Sequence, residues 1–382
     1  MSNGASRNWP ELDGLRGLAI LLVLGFHYGW GFFTPVPGSL FAYALVPIRL
    51  MWSGVDLFFI LSGFLIVGIL IRERDDERYF SVFFARRACR ILPLYILTGL
   101  IFAAGVVTNG LGWIDMPRLF GDVQGWQWSA LFLQNFFVPW QGTLQINFFS
   151  PTWSLAIEEQ MYVILSLMVF ALRQNDRAIA VALVGSAFAA IVLRAAIERG
   201  YPAQAQIMAA LLPFTRMDAF AAGGLLAYAM HRGWLAYNRA TGWAVAAIAV
   251  GLTGMAVLAH DNLFGVQLFL PVILTYAALL ALVVTERPGT FIMRLFRNQI
   301  LRWLGAISYG LYLLHIPVLG GCMALAGMSE QALVSEKPNW ITLIALAILF
   351  PLAYASHRYF ETPVTRWGRE KWKYHSSRSY RN

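Results

Sequence analysis

The stretch that decides the fold is Leu50-Met51-Trp52-Ser53-Gly54-Val55-Asp56-Leu57-Phe58-Phe59-Ile60-Leu61-Ser62-Gly63-Phe64-Leu65-Ile66-Val67-Gly68-Ile69-Leu70-Ile71, 22 residues carrying one ionisable group. At about 1.5 Å per helical residue it reaches about 33 Å, enough to cross the hydrocarbon core of a bilayer. Working outward, nine further stretches have the same character. They run near Leu12–Phe33, Ile91–Val107, Trp153–Leu172, Ala178–Ile197, Leu211–Ala229, Trp243–Ala259, Phe264–Val284, Trp303–Leu325 and Ile341–Arg358. The apolar segment Trp128 to Val138 is only half the spanning length. It reads as a re-entrant or interfacial piece inside one long loop. The fold class is therefore all-α, a polytopic membrane bundle of about ten helices. No signal peptide is expected, because the first apolar stretch is long, carries Arg16 and lacks a small-residue cleavage site.

Composition agrees. Hydrophobic types make up 58% of the 382 residues and charged types 13%, against roughly 25% charged in an ordinary globular protein. This excludes a disordered chain, and it makes nucleic acid a poor partner for the net charge of +9. Two cysteines, Cys89 and Cys322, imply no disulfide framework. The 29 Lys and Arg residues divide unevenly: with both termini cytoplasmic, 21 fall in inner segments, 4 in outer segments and 4 within spans. Counting Trp128–Val138 as a full span would reverse the later basic loops, so the positive-inside bias selects ten spans.

Ionisable side chains inside a bilayer are costly and mark either helix-packing ion pairs or a functional cavity. His27, Asp56, Glu158, Arg194, Arg216 and Asp218 fall in the outer third of their spans, and His315 lies nearer the midplane. Six helices thus bring charges to similar levels, which favours a cavity. Near the inner face stand Arg16 and the group Arg86, Arg87 and Arg90. In a helix Arg86 and Arg90 share a face, as do Arg87 and Arg90. These are topology signals, contacts to anionic membrane lipids, or a cradle for a ligand with several phosphates.

Six blocks then carry a resemblance. Leu12-Asp13-Gly14-Leu15-Arg16-Gly17-Leu18-Ala19 leads to His27 with ten residues between Arg16 and His27. Gly54 to Leu65 and Arg86-Arg87-Ala88-Cys89-Arg90-Ile91-Leu92-Pro93-Leu94-Tyr95 follow. Then come Thr152 to Tyr162, Ile307-Ser308-Tyr309-Gly310-Leu311-Tyr312-Leu313-Leu314-His315, and Tyr359-Phe360-Glu361-Thr362-Pro363. In this order they resemble the acyltransferase-3 family of bacterial membrane O-acyltransferases, over essentially the whole chain. The resemblance implies one integral-membrane acyltransferase domain spanning 1–382, with a basic cytoplasmic tail from about 359, in the bacterial inner membrane. It implies a cytoplasmic acyl-coenzyme A donor, acetyl-coenzyme A being the expected form, and an acceptor hydroxyl on an envelope or secreted glycan or a glycosylated small molecule. Some relatives carry a fused extracytoplasmic hydrolase-like domain. This sequence resembles the stand-alone type.

Carried over residue by residue, Arg16 and His27 match the family's arginine–histidine motif, Arg87 and Arg90 its paired arginines, and Glu158 its acidic residue. A sugar hydroxyl attacking a thioester needs a base active near neutral pH, and imidazole suits it. His27 is the candidate base, with Glu158 or Asp56 orienting it; the sequence does not choose between them. Arg16, Arg86, Arg87 and Arg90 are the candidate donor-binding residues. Arg216, Asp218, His315 and Tyr309 are the candidate acceptor-side residues. Ser62, Ser154 and Ser308 read as small packing groups. No metal site is expected, since the six histidines are scattered. A solute transporter, or a glycan or lipid flippase without chemistry, would use similar intramembrane charges.

Overall fold

The computed structural model describes residues 9–29, 50–112, 120, 126–141, 148–235, 237–258, 265–285, 289–327 and 339–375. Among them the chain is helical, with no strand. In chain order the helices are α1 (Pro10–Gly29), α2 (Gly54–Arg72), α3 (Tyr79–Gly110), α4 (Trp126–Ala130), α5 (Gln134–Gln141) and α6 (Trp153–Ala171). Then follow α7 (Asp176–Gly200), α8 (Ala205–Leu211), α9 (Met217–His231), α10 (Tyr237–Leu258) and α11 (Phe269–Thr285). The last are α12 (Phe291–Phe296), α13 (Gln299–Ala306), α14 (Ser308–Leu325), α15 (Asn339–Ser356) and α16 (Thr362–Lys371).

Eight helical stretches among the described residues are long and apolar enough to cross a membrane. The other two expected spans are also helical, but α9 has only 15 residues and the apolar part of α10 is the shorter run Trp243–Met255. Four boundaries depart from the sequence reading. The span expected over Trp303–Leu325 is broken at Ile307, so that its first turn belongs to α13 and the crossing helix is α14. The span expected from Ile91 is the last two-thirds of a 32-residue helix that begins at Tyr79, so the arginines before it stand on the same helix. The span expected over Leu211–Ala229 is broken at Pro213 into α8, a 3₁₀ turn and α9, because proline has no N–H to continue the ladder. The tail expected from 359 begins as a π turn, His357–Glu361, and continues as α16; residues 376–382 lie outside the described ones. The segment near 128–138 is two short helices joined through Phe132, which has φ +55°.

Small residues set the closest helix crossings, as expected where the solvent is lipid and helix association depends on packing. In α2 and α9, Gly63 lies against the carbonyl of Phe220 and Gly223 against that of Ile60. In α1, Gly14 and Gly17 meet the carbonyls of Phe296 and Leu301, while Gly305 of α13 meets that of Asp13. The α4–α5 pair is fastened to α6 by amides. Gln134 Nε2 donates to Thr152 O and Oγ1, both at 2.9 Å. Asn135 and Gln160 exchange side-chain hydrogen bonds of 3.0 and 2.8 Å, and Asn135 also donates to Leu211 O at the end of α8. The broken helix and the expected re-entrant segment are thereby one packed unit.

The glycine crossings generate a prediction. Gly223→Val places a Cβ on backbone that cannot yield, and overpacking costs about 1–3 kcal/mol or more. A lower unfolding temperature in detergent is expected for Gly223→Val and Gly63→Val. Gly185→Ala, whose Cβ meets nothing within 4 Å, is expected not to lower it and, with alanine's better helix propensity inside α7, to raise it slightly.

Candidate active site

Five helices line a cavity of about 100 Å³. Its wall includes Arg16 of α1, Ser62 of α2, Arg87 and Arg90 of α3, Glu158 and Tyr162 of α6, and Tyr309 and Tyr312 of α14. Helical spacing explains the convergence. Ser154, Glu158 and Tyr162 recur every four residues and share a face of α6, as do Ser308, Tyr312 and His315 on α14. Arg87 and Arg90 share a face of α3 through their i,i+3 spacing.

Arginine occupies one end of the cavity. Arg16 Nη1 donates to Asp13 Oδ1 at 2.8 Å. Arg87 stacks its guanidinium over the Tyr162 ring at 5.2 Å and is also within 5.9 Å of the Phe83 ring. Among the described residues neither Arg87 nor Arg90 makes a hydrogen bond or an ion pair. Glu158 sits with them. Its Oε1 accepts from Ser62 Oγ at 2.9 Å and its Oε2 from Tyr162 OH at 2.7 Å. Tyr162 thus links the arginine and the carboxylate. Glu158 is grouped with the arginines, and the hydrogen bonds of its two oxygens do not involve His27.

A column of polar aromatic groups continues from this cavity. Tyr309 OH donates to Ile91 O at 2.7 Å. Tyr312 OH donates to Pro151 O at 2.6 Å and accepts from Ser154 Oγ at 2.5 Å. The Tyr312 ring lies 5.7 Å from that of His315, and the His315 ring lies 4.7 Å from that of His27 at 63°. Tyr28 OH ties α1 to α14 by donating to His315 O at 2.7 Å. His27 Nδ1 is 3.0 Å from Val23 O, and His315 Nδ1 is 2.6 Å from Tyr312 O. A carbonyl oxygen only accepts, so Nδ1 carries the proton in each ring and Nε2 carries the lone pair when the ring is neutral. Arg16 and His27 are eleven residues apart. At about 100° per residue they lie about 20° from one another around α1, separated by about 16 Å along it.

The remaining sequence candidates stand elsewhere. Asp56 pairs with Arg216, and Arg194 with Asp218. All four are at most 4% exposed. Arg194 also donates to Thr215 O in the unwound turn, and Arg216 lies 4.2 Å over the Phe269 ring. The charges expected at an acceptor entrance, and the rival for orienting His27, are therefore partners in one buried quartet joining α2, α7 and α9. Arg86 points away from the cavity. It donates from Nε to Trp372 O at 2.7 Å and lies 5.1 Å over the Tyr374 ring, a phenol that burial pushes up to about 12. Sequence reasoning missed Tyr162 and Tyr312 as site residues and took Ser62 and Ser154 for packing. The available signal was the four-residue spacing of Ser154 and Tyr162 from Glu158 and the place of all four residues within the quoted blocks.

Comparison with known proteins follows from this geometry. The model of the acyltransferase-3 family, described as an acyltransferase domain, matches residues 9–358, and this chain belongs to that family. The peptidoglycan O-acetyltransferase OatA of Listeria monocytogenes is 25% identical over 94% of this chain and 56% of its own length. YrhL of Bacillus subtilis is 28% identical over 94% of this chain and 55% of its own. The chain thus spans a little over half the length of the relatives it matches. No solved structure matches. With its apolar helices, the chain is a multi-pass membrane member of that family.

The buried quartet generates a prediction. Removing one partner of a buried ion pair strands a charge and costs about 3–5 kcal/mol. Asp56→Leu is therefore expected to lower the unfolding temperature in detergent sharply, and adding Arg216→Met to it to recover part of the loss. A double variant worse than the single one would show that Arg216 is held by something other than Asp56.

Proposed function

From that membership we propose that the chain moves an acyl group, acetyl being the expected one, from acyl-coenzyme A to a hydroxyl of an envelope or secreted glycan. The observation that carries this reading is α1 itself. It presents Arg16 beside Arg87 and Arg90, which make no hydrogen bond among the described residues, and His27 on nearly the same face about 16 Å further along. A ligand touching both ends is long and narrow, with negative charge at one end and its reactive group at the other. Coenzyme A, with phosphates leading an extended pantetheine arm, meets that demand.

The residues fit the donor's phosphates. Guanidiniums bind phosphate bidentately, with charge-assisted hydrogen bonds roughly twice as strong as neutral ones. Arg87 and Arg90 have that capacity available, whereas Arg194 and Arg216 are committed to carboxylates. Stacking on Tyr162 aims Arg87, and Glu158 holds Tyr162 in place. In the proposed transfer, His27 Nε2 takes the proton of the acceptor hydroxyl as its oxygen attacks the thioester carbonyl. The C–S bond then breaks, and the proton passes to the departing sulfur. His315 packs against His27 and limits its rotation, and Tyr309 and Tyr312 line the channel for the arm.

The orientation belongs to the same proposal. The 21-to-4 division of Lys and Arg supports cytoplasmic termini, with the arginine end at the cytoplasmic face of the inner membrane. The donor then enters from the cytoplasm and the acceptor meets His27 from the opposite side. OatA of Listeria monocytogenes is named for peptidoglycan, which supports a glycan acceptor here.

Proteoliposomes given labelled acetyl-coenzyme A and glycan acceptor provide the test. His27→Ala is expected to lower the transfer rate about 10²–10⁴-fold with donor affinity retained. Arg87→Ala with Arg90→Ala is expected to raise the donor KM while leaving kcat closer to normal. Glu158→Gln separates the two roles open to that residue. A raised donor KM fits support of the arginine end, whereas a lowered kcat with a shifted pH profile would return it to His27. Near-normal turnover by purified His27→Ala removes histidine from the mechanism. Transfer only when both substrates share the arginine side overturns the trans-bilayer arrangement.

A further inference from the structure

Residues 289–306, which form α12 and α13, contain three arginines and no acidic residue. Both helices are closed at their starts by side chains: Thr290 Oγ1 accepts from Met293 N at 3.4 Å, and Asn298 Oδ1 accepts from Ile300 N at 2.8 Å. Their inner faces are used. Met293, Phe296, Leu304 and Gly305 are buried, and the carbonyls of Phe296 and Leu301 lie directly on Gly14 and Gly17 of α1. Arg297 pairs with buried Glu11.

The outer face has a different composition. Phe291 is 70% and Ile300 67% exposed, with Leu295 and Trp303 also open. Arg294 and Arg302 are exposed among them, and among the described residues neither makes a hydrogen bond or an ion pair. Large apolar groups interleaved with cations make a surface that suits the plane where acyl chains meet headgroups. Pure hydrocarbon would not solvate the guanidiniums, and water alone would not cover the phenyl and indole rings. Charge complementarity selects the occupant.

We propose that the outer face of α12 and α13 is a docking surface for anionic phospholipid, with Arg294 and Arg302 holding headgroup phosphates and Phe291, Leu295, Ile300 and Trp303 seated among the acyl chains. The inference rests on the chain spanning a membrane and is independent of the transfer reaction. It has a structural consequence. Gly305 of α13 packs on the backbone of Asp13, the residue that holds Arg16, so lipid bound outside steadies the arginine end of α1 inside.

The experiment places the purified full chain in nanodiscs of phosphatidylcholine containing a graded fraction of phosphatidylglycerol. Bound lipid is counted by native mass spectrometry, and the unfolding temperature is followed. Phosphatidylglycerol is expected to be retained and to raise the unfolding temperature of the natural chain. Arg294→Gln with Arg302→Gln is expected to weaken its retention about 30-fold, from the usual attraction per cationic side chain near an anionic membrane. Arg294→Lys with Arg302→Lys keeps most of it. Both pairs of substitutions are exposed and are expected to unfold like the natural chain in phosphatidylcholine alone, which keeps folding apart from binding. Equal retention by the natural chain and the glutamine variant overturns the proposal. So does displacement of the lipid by inorganic phosphate, which would make the site one for a free anion. Self-association in phosphatidylcholine that the glutamine variant abolishes would replace the lipid with a second copy of the chain.

Discussion

A guanidinium taken into a membrane-spanning bundle has to be compensated where it stands, and the arginines here divide by how that is done. Arg194 and Arg216 are compensated by Asp218 and Asp56 within hydrogen-bonding reach, and Arg216 also lies against the ring of Phe269. These pairs are buried and join α2, α7 and α9, although Asp56 Oδ2 and Arg216 Nε and Nη1 make no hydrogen bond among the described residues. Arg87 has two aromatic rings, and Arg90 faces the same cavity. Among the described residues their N–H groups have no protein acceptor, which in a low-dielectric setting is tolerable only where water or an anionic ligand has access. The quartet joins helices of the bundle, and the proposed reaction draws on the open pair.

Helix α2 shows how one sequence serves both. Asp56 and Ser62 are six residues apart, which places them about 120° from each other around the helix. One turns to the quartet with α7 and α9, and the other turns to Glu158 in the cavity. Gly63, seven residues from Asp56 and so only about 20° from it, lets α9 approach to backbone contact on the same side. The acid and the glycine of this block thus share one face of the helix and the serine turns to another. Helix α1 is arranged in the same way: Gly14 and Gly17 admit α12 and α13 on one side, and Arg16 and His27 line up on another.

Much of this was legible before any coordinates. Apolar length gave every spanning segment a helix, because a bilayer permits little else. The arginine–histidine spacing marked α1, and helical periodicity put Arg87 and Arg90 on a common face. What the sequence could not supply was pairing across helices. Asp56, Glu158, Arg216 and Asp218 lie at similar depths, and depth alone leaves open which of them meet. Asp56 and Arg216 are 160 residues apart, and only the α2–α9 crossing brings them together. Arg86 illustrates the same gap. Its spacing from Arg90 suggested a shared face, yet the carbonyl of Trp372, 286 residues away, draws its guanidinium to the C-terminal segment. The early start of α3 was hidden because charged residues end an apolar count without ending a helix.

The position of Glu158 bears on how much help His27 needs. In a serine hydrolase an acid behind the imidazole fixes its tautomer and stabilises the imidazolium. Here the first task falls to the carbonyl of Val23, one helical turn below, which accepts from Nδ1 and leaves Nε2 as the basic nitrogen. The second task is smaller in the proposed reaction than in amide cleavage. A departing thiolate, whose conjugate acid has a pKa near 8.5 for an ordinary thiol, is far less basic than a departing amide nitrogen. Its release therefore needs less prior protonation, and the imidazole has only to relay one proton from the incoming hydroxyl to the outgoing sulfur. In the proposed reaction Glu158, joined to Arg87 through Tyr162, serves the end of the cavity where charge is held throughout the turnover.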